Sequence, residues 1–69
     1  MSYDYSKLYG LIAEKCRTQA VFAEKIGLSE RSVSLKLNGK IGWKQKEIAK
    51  ICDVLDISPK NIPTYFFTL

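Results

Sequence analysis

Arg31, Lys36, Lys40, Lys44, Lys46 and Lys50 all fall within residues 31–50, where only Glu47 opposes them. That stretch carries +5, whereas residues 1–30 are neutral and residues 51–69 carry −1. A charge block confined to one stretch suits a polyanion-facing surface better than a general solubility requirement, the alternative being a solvated face. The neighbouring side chains extend the same chemistry. Arg31 offers a planar fork that matches the acceptors of guanine. The hydroxyls of Ser32 and Ser34 can reach phosphate or base edges, and Leu35 can meet a thymine methyl.

Other chemistries have little to build on. The chain has no histidine, so the commonest general base and metal ligand is missing. Its two cysteines, Cys16 and Cys52, are too few for a structural zinc site and read as reduced core thiols, the alternative being a disulfide. A Ser/His/Asp set cannot be assembled, no GxxxxGK[ST] loop is present, and the carboxylates are expected to be scattered over solvent faces. We therefore expect no catalytic residues, no metal and no cofactor. With 69 residues and 46% hydrophobic content, one small folded domain spanning residues 1–69 is expected. No apolar run approaches the ~20 residues of a membrane span, and the start "MSYDYSKLYG" does not read as a signal peptide. A cytoplasmic location is the expectation.

The elements that must position these residues follow from apolar spacing and capping signals. Helix 1 is expected near 5–16, with Leu8, Leu11, Ile12 and Cys16 inward and Asp4 or Ser6 at its start. Thr18 can cap helix 2 near 19–26, whose stripe is Val21 or Phe22, Ala23 and Ile26. Gly27 suits a left-handed turn, Leu28 drops into the core, and Ser29 caps helix 3 near 30–38. Val33 and Leu37 anchor helix 3, and Asn38-Gly39 end it with residues that tolerate positive φ. Trp43 covers the loop before helix 4 near 44–55, which turns Ile48, Ile51, Cys52 and Leu55 inward. Ser58-Pro59 begins a short fifth helix, and Pro63 ends or redirects it. In the tail 63–69, Tyr65, Phe66 and Phe67 either fold back over helices 1 and 4 or form the apolar centre of a dimer interface.

Breaking a good helix at Gly27 and restarting it three residues later throws helix 3 outward, as in a helix-turn-helix. Rotation by ~100° per residue from the Val33/Leu37 anchor puts Arg31 and Leu35 opposite it, with Ser32, Ser34 and Asn38 on the flanks. Such a face has the width and chemistry to enter a DNA major groove, with Glu30 and its neighbours at the deep N-terminal end.

The stretch "TQAVFAEKIGLSERSVSLKLNGK" resembles the helix-turn-helix of the phage repressor and Cro family, with Gln19, Ala23, Gly27, Val33, Asn38 and Gly39 at matching positions. The remainder, with "GWKQKEIAKICDVLDI" and "IPTYFF", resembles small phage-encoded regulators of the same superfamily. The resemblance implies a compact five-helix, all-α, lambda-repressor-like DNA-binding domain with its recognition helix at about 30–38. It further implies a transcriptional regulator that binds a double-stranded operator as a homodimer, in the cytoplasm of a bacterial host and associated with the nucleoid. Glu30, Arg31, Ser34 and Leu35 become the expected base-reading residues. Thr18, Gln19, Ser32, Lys36, Asn38, Lys40 and Lys44 become the expected phosphate contacts. Two positions depart from the family pattern. Lys36 and Leu37 stand where members usually carry an apolar residue and often a glutamate, so the buried ion pair many members use cannot involve position 37. Glu30 stands where many have glutamine. A carboxylate among phosphates is costly unless it accepts from cytosine or pairs with Arg31. Glu30 and the aromatic tail both suit a different class of function, a protein-binding modulator that keeps the fold but contacts a partner repressor. An antitoxin is a related third reading.

Overall fold

Two hydroxyls and two glycines decide where the central pair of helices begins and ends. The computed structural model describes residues 3–69. The Thr18 hydroxyl accepts the backbone N–H of Val21 at 3.2 Å, and the Ser29 hydroxyl accepts that of Ser32 at 3.1 Å. Each satisfies a donor that the first turn of a helix leaves unpaired. They open α2 (Gln19–Ile26) and α3 (Glu30–Leu37). At the other end of α2, Gly27 takes φ +76° while Leu28 N–H reaches back to Ala23 O at 3.0 Å. Gly39 repeats this after α3, with φ +75° and Lys40 N–H on Leu35 O at 2.9 Å. Both are six-residue closures that need a left-handed residue. Asn38 does not share that role, since its φ is −89°.

Around this pair lie α1 (Ser6–Cys16), α4 (Gln45–Leu55), a 3-10 turn at Pro59–Asn61 and α5 (Ile62–Phe66). Among the described residues the fold is thus five α-helices and one 3-10 turn. The expected helices 1 to 4 are present within one residue of their assigned ends. The C-terminal part differs. Ser58-Pro59 opens only the 3-10 turn, and Pro63 sits in the first turn of α5, where its missing N–H costs nothing, instead of ending the helix. Asp56 ends α4 in the left-handed region at φ +57°, so that Ile57 can turn into the core.

All five helices contribute to one core. Leu8, Ile12, Phe22, Val33, Ile51, Leu55 and Phe66 are essentially inaccessible. Of the two candidates in α2, Phe22 is the buried one and Val21 is exposed. Trp43 is partly buried, and its ring meets Tyr5 and Phe66 edge-on at centroid distances of 6.4 and 6.1 Å. The aromatic tail divides: Phe66 folds back into the core, Tyr65 packs half-buried against it, and Phe67 stays exposed. Asp4 N–H on Thr68 O at 2.6 Å ties the start of α1 to the tail. Cys16 and Cys52 are both free, and burial followed by the Asp53 charge pushes the Cys52 thiol up. No helix among the described residues is long and apolar enough to cross a membrane.

The Gly27 turn makes a simple test of this framework. A Cβ at Gly27 would meet nothing within 4 Å, so Gly27→Ala introduces backbone strain without a clash. We expect it to cost roughly 1–2 kcal/mol. For a domain of this size that lowers the melting temperature by about 4–8 °C per kcal/mol, measurable by thermal unfolding followed by circular dichroism.

Candidate partner-binding surface

Because Val33, Lys36 and Leu37 point inward from α3, its opposite side is left to solvent. That outer face carries Glu30, Arg31 and Asn38, all exposed, with Ser34 and Leu35 half-exposed between them. Leu35 makes no part of the core cluster, so its apolar tip is available at the surface. Ser32 lies at the edge, where its hydroxyl accepts from the Ser29 hydroxyl at 2.9 Å.

A second group gathers where α1, α2 and α3 approach. Tyr9, Arg17, Thr18, Gln19 and Glu30 line one shallow recess. Gln19 Nε2 donates to the Tyr9 hydroxyl at 2.7 Å, so the amide expected to hold a phosphate already has a partner within the chain. Arg17 adopts φ +71° at the junction of α1 and α2. Tyr9 and Arg17 were not among the residues singled out from sequence. Tyr9 had a signal, an aromatic off the Leu8/Ile12/Cys16 stripe. Arg17 had none, because a positive φ at arginine follows from packing and not from residue type.

Lys36 requires a correction. It was expected at a phosphate, yet it is buried, with its ammonium donating to Glu47 Oε1 at 2.9 Å and to Gly42 O at 3.0 Å. The same ammonium lies 5.7 Å from the centroid of the Trp43 ring. A side chain so committed cannot reach an external anion without unpairing Glu47. Glu47 in turn is no solvent-face carboxylate. Its Oε1 also accepts the backbone N–H of Lys44 at 2.8 Å, closing the start of α4. Burial on its own would raise the Glu47 carboxyl. The Lys44 N–H, the Lys36 hydrogen bond and the charges of both lysines outweigh that and hold it below its ordinary value. The chain therefore does carry a buried ion pair, displaced from position 37 to 36 and joined to α4.

The fold divides the remaining cations. Lys40 is exposed in the loop after α3, whereas Lys44, Lys46 and Lys50 line a groove formed with Ile26 and Leu28 on the side of α4. The +5 block of the sequence is thus no single cationic stripe along α3. On the outer face of that helix Arg31 is offset by Glu30.

Fold and surface together define a small five-helix protein of helix-turn-helix build with a mixed-charge face on α3. The chain belongs to the family described as "Protein of unknown function (DUF739)", whose profile matches residues 1–69. Among solved structures it is similar to the modulator of repression (MOR) of the temperate bacteriophage TP901-1 from Lactococcus lactis. The identity is 61%, the TM-score is 0.83, and the match covers 97% of this chain and 90% of that one. A search of curated proteins returned no match.

These findings overturn the principal expectation from the sequence. A sequence-specific operator-binding regulator of the repressor or Cro type is contradicted by so extensive a likeness to a modulator of repression. The family assignment is DUF739 and not the repressor and Cro family that the helix-turn-helix resembles. The expected base-reading and phosphate-holding roles lose their basis with it. The expected homodimer was likewise implied only by the resemblance to the repressor and Cro family, which is not the family shown. The five-helix, all-α fold stands as the sequence implies; the operator-binding function does not.

Proposed function

We propose that this chain is a phage-encoded modulator that acts by binding a repressor protein, with no chemistry of its own, in the cytoplasm of the bacterial host. The observation that carries this reading is the 61% identity to a modulator of repression across 97% of the chain. The α3 surface supports it. An accessible leucine ringed by Glu30, Arg31, Ser34 and Asn38 has the make-up of a small protein contact, an apolar centre with a polar rim. Binding becomes regulation through linkage. A ligand that prefers free repressor withdraws it from its operator, and one that prefers operator-bound repressor holds it there.

The reading is tested by titrating the chain into a purified phage repressor in a calorimeter. A saturable complex is expected, and absence of heat or co-elution at micromolar concentrations would count against it. Arg31→Ala and Leu35→Gln are each expected to weaken the complex about tenfold, ~1.4 kcal/mol, without changing the thermal unfolding of the free chain. Unchanged affinity in both variants would move the contact away from α3.

A further inference from the structure

The three lysines left over by the α3 face are the least explained charges in the molecule. Lys44, Lys46 and Lys50 surround a groove of about 400 Å³ between the α2–α3 turn and the first half of α4. Its floor is Ile26 and Leu28, both half-buried and packed on the core with one side still accessible. Glu47 is the one acidic residue in the lining, and Lys36 already neutralises it. Among the described residues Lys36–Glu47 is the only ion pair, so none of the three rim lysines has a carboxylate within 4.0 Å. Lys46 and Lys50 also lie one helical turn apart, an arrangement of like charges that works against the helix bearing them. A local excess of three positive charges over an apolar floor is a surface complementary to something anionic and apolar at once.

We infer that this groove is a second docking surface, which takes an acidic segment of the partner protein with an apolar side chain seated on Ile26 and Leu28. The inference rests on the modulator reading and adds a contact on a different face from α3. The floor decides between anions. A phosphate backbone gains nothing from covering Ile26 and Leu28, whereas a leucine or phenylalanine flanked by aspartate or glutamate gains both from the floor and from the rim. Rim charges act mainly on encounter and salt dependence, and the covered floor acts on residence time.

The test compares two double variants of equal charge change against one purified phage repressor. Lys46→Glu/Lys50→Glu inverts the rim of the groove, and Lys7→Glu/Lys60→Glu inverts two exposed lysines elsewhere. All four positions are exposed, and circular dichroism verifies that each variant folds. The groove variant is expected to bind at least about tenfold more weakly, with a shallower salt dependence, while the control stays within about twofold. If wild-type chain binds repressor and the two variants bind alike, the groove plays no part and the inference is overturned while the modulator reading stands. If wild-type chain binds no repressor, the modulator reading falls and this inference with it. If wild-type chain instead binds random-sequence duplex DNA as tightly as it binds repressor, and the groove variant loses that binding, the groove is a phosphate site and the protein partner is wrong.

Discussion

Phe66→Ala is expected to destabilise the protein by about 3–5 kcal/mol, enough to unfold most of a domain this small. Phe66 comes from the last helix, yet it is only 1% exposed and packs edge-on against Trp43. Removing the ring loses its transfer energy and leaves a cavity that the surrounding core, the Trp43 ring included, can fill only in part. In urea the midpoint should drop with little change in slope. Phe67→Ala, one residue on and half exposed, should change stability by less than about 0.5 kcal/mol. Equal effects at the two positions would mean that α5 does not hold the tail as described.

The second large effect belongs to the Lys36–Glu47 pair. Glu47→Ala leaves the Lys36 ammonium buried with Gly42 O as its remaining partner, and it frees the Lys44 N–H that Glu47 accepts at the start of α4. Breaking a buried pair from one side costs about 3–5 kcal/mol, chiefly because the surviving charge is uncompensated. Lys36→Met should cost less, since Glu47 keeps the Lys44 N–H and sits nearer to solvent. The double variant Lys36→Met/Glu47→Leu should recover a good part of the loss, which a double-mutant cycle would measure. The pair also sets a pH dependence. The Glu47 carboxyl is held below its ordinary value in the folded state, so its stabilisation is fully present above 4.5 and disappears as pH falls below that toward the lower folded value. Wild-type protein should therefore lose stability below about pH 4.5 more steeply than Glu47→Gln.

Local signals made the framework legible. Thr18, Ser29 and Gly27 each do in the fold what their chemistry suggests in isolation, and the Leu8/Ile12, Val33/Leu37 and Ile51/Leu55 spacings point where periodicity puts them. The failures are non-local. Lys36 sits on the same helical face as Val33 and Leu37. Its burial is tolerable only because Glu47 arrives from another helix, a partner eleven residues away. The +5 block looked like one surface because sequence has a single axis. In space α3 and α4 send its members to separate faces. Ending and redirecting stay open for Pro63 in the sequence, because a proline at the start of a helix and one that ends it look alike without the neighbouring turn; in the fold the 3-10 turn gives way to α5 there. The functional error has the same origin: the helix-turn-helix pattern specifies a geometry, and geometry alone does not say whether the projecting helix meets a base edge or another protein.

Operator retardation tests the central claim most directly, with a phage repressor at its half-saturating concentration and this chain added in increasing amounts. The account predicts that the chain alone retards no operator fragment, and that it shifts the repressor's apparent operator affinity by at least about fivefold in one consistent direction. A chain that retards the operator by itself with sequence preference, or that leaves the repressor's binding curve unmoved at saturating concentration, contradicts it.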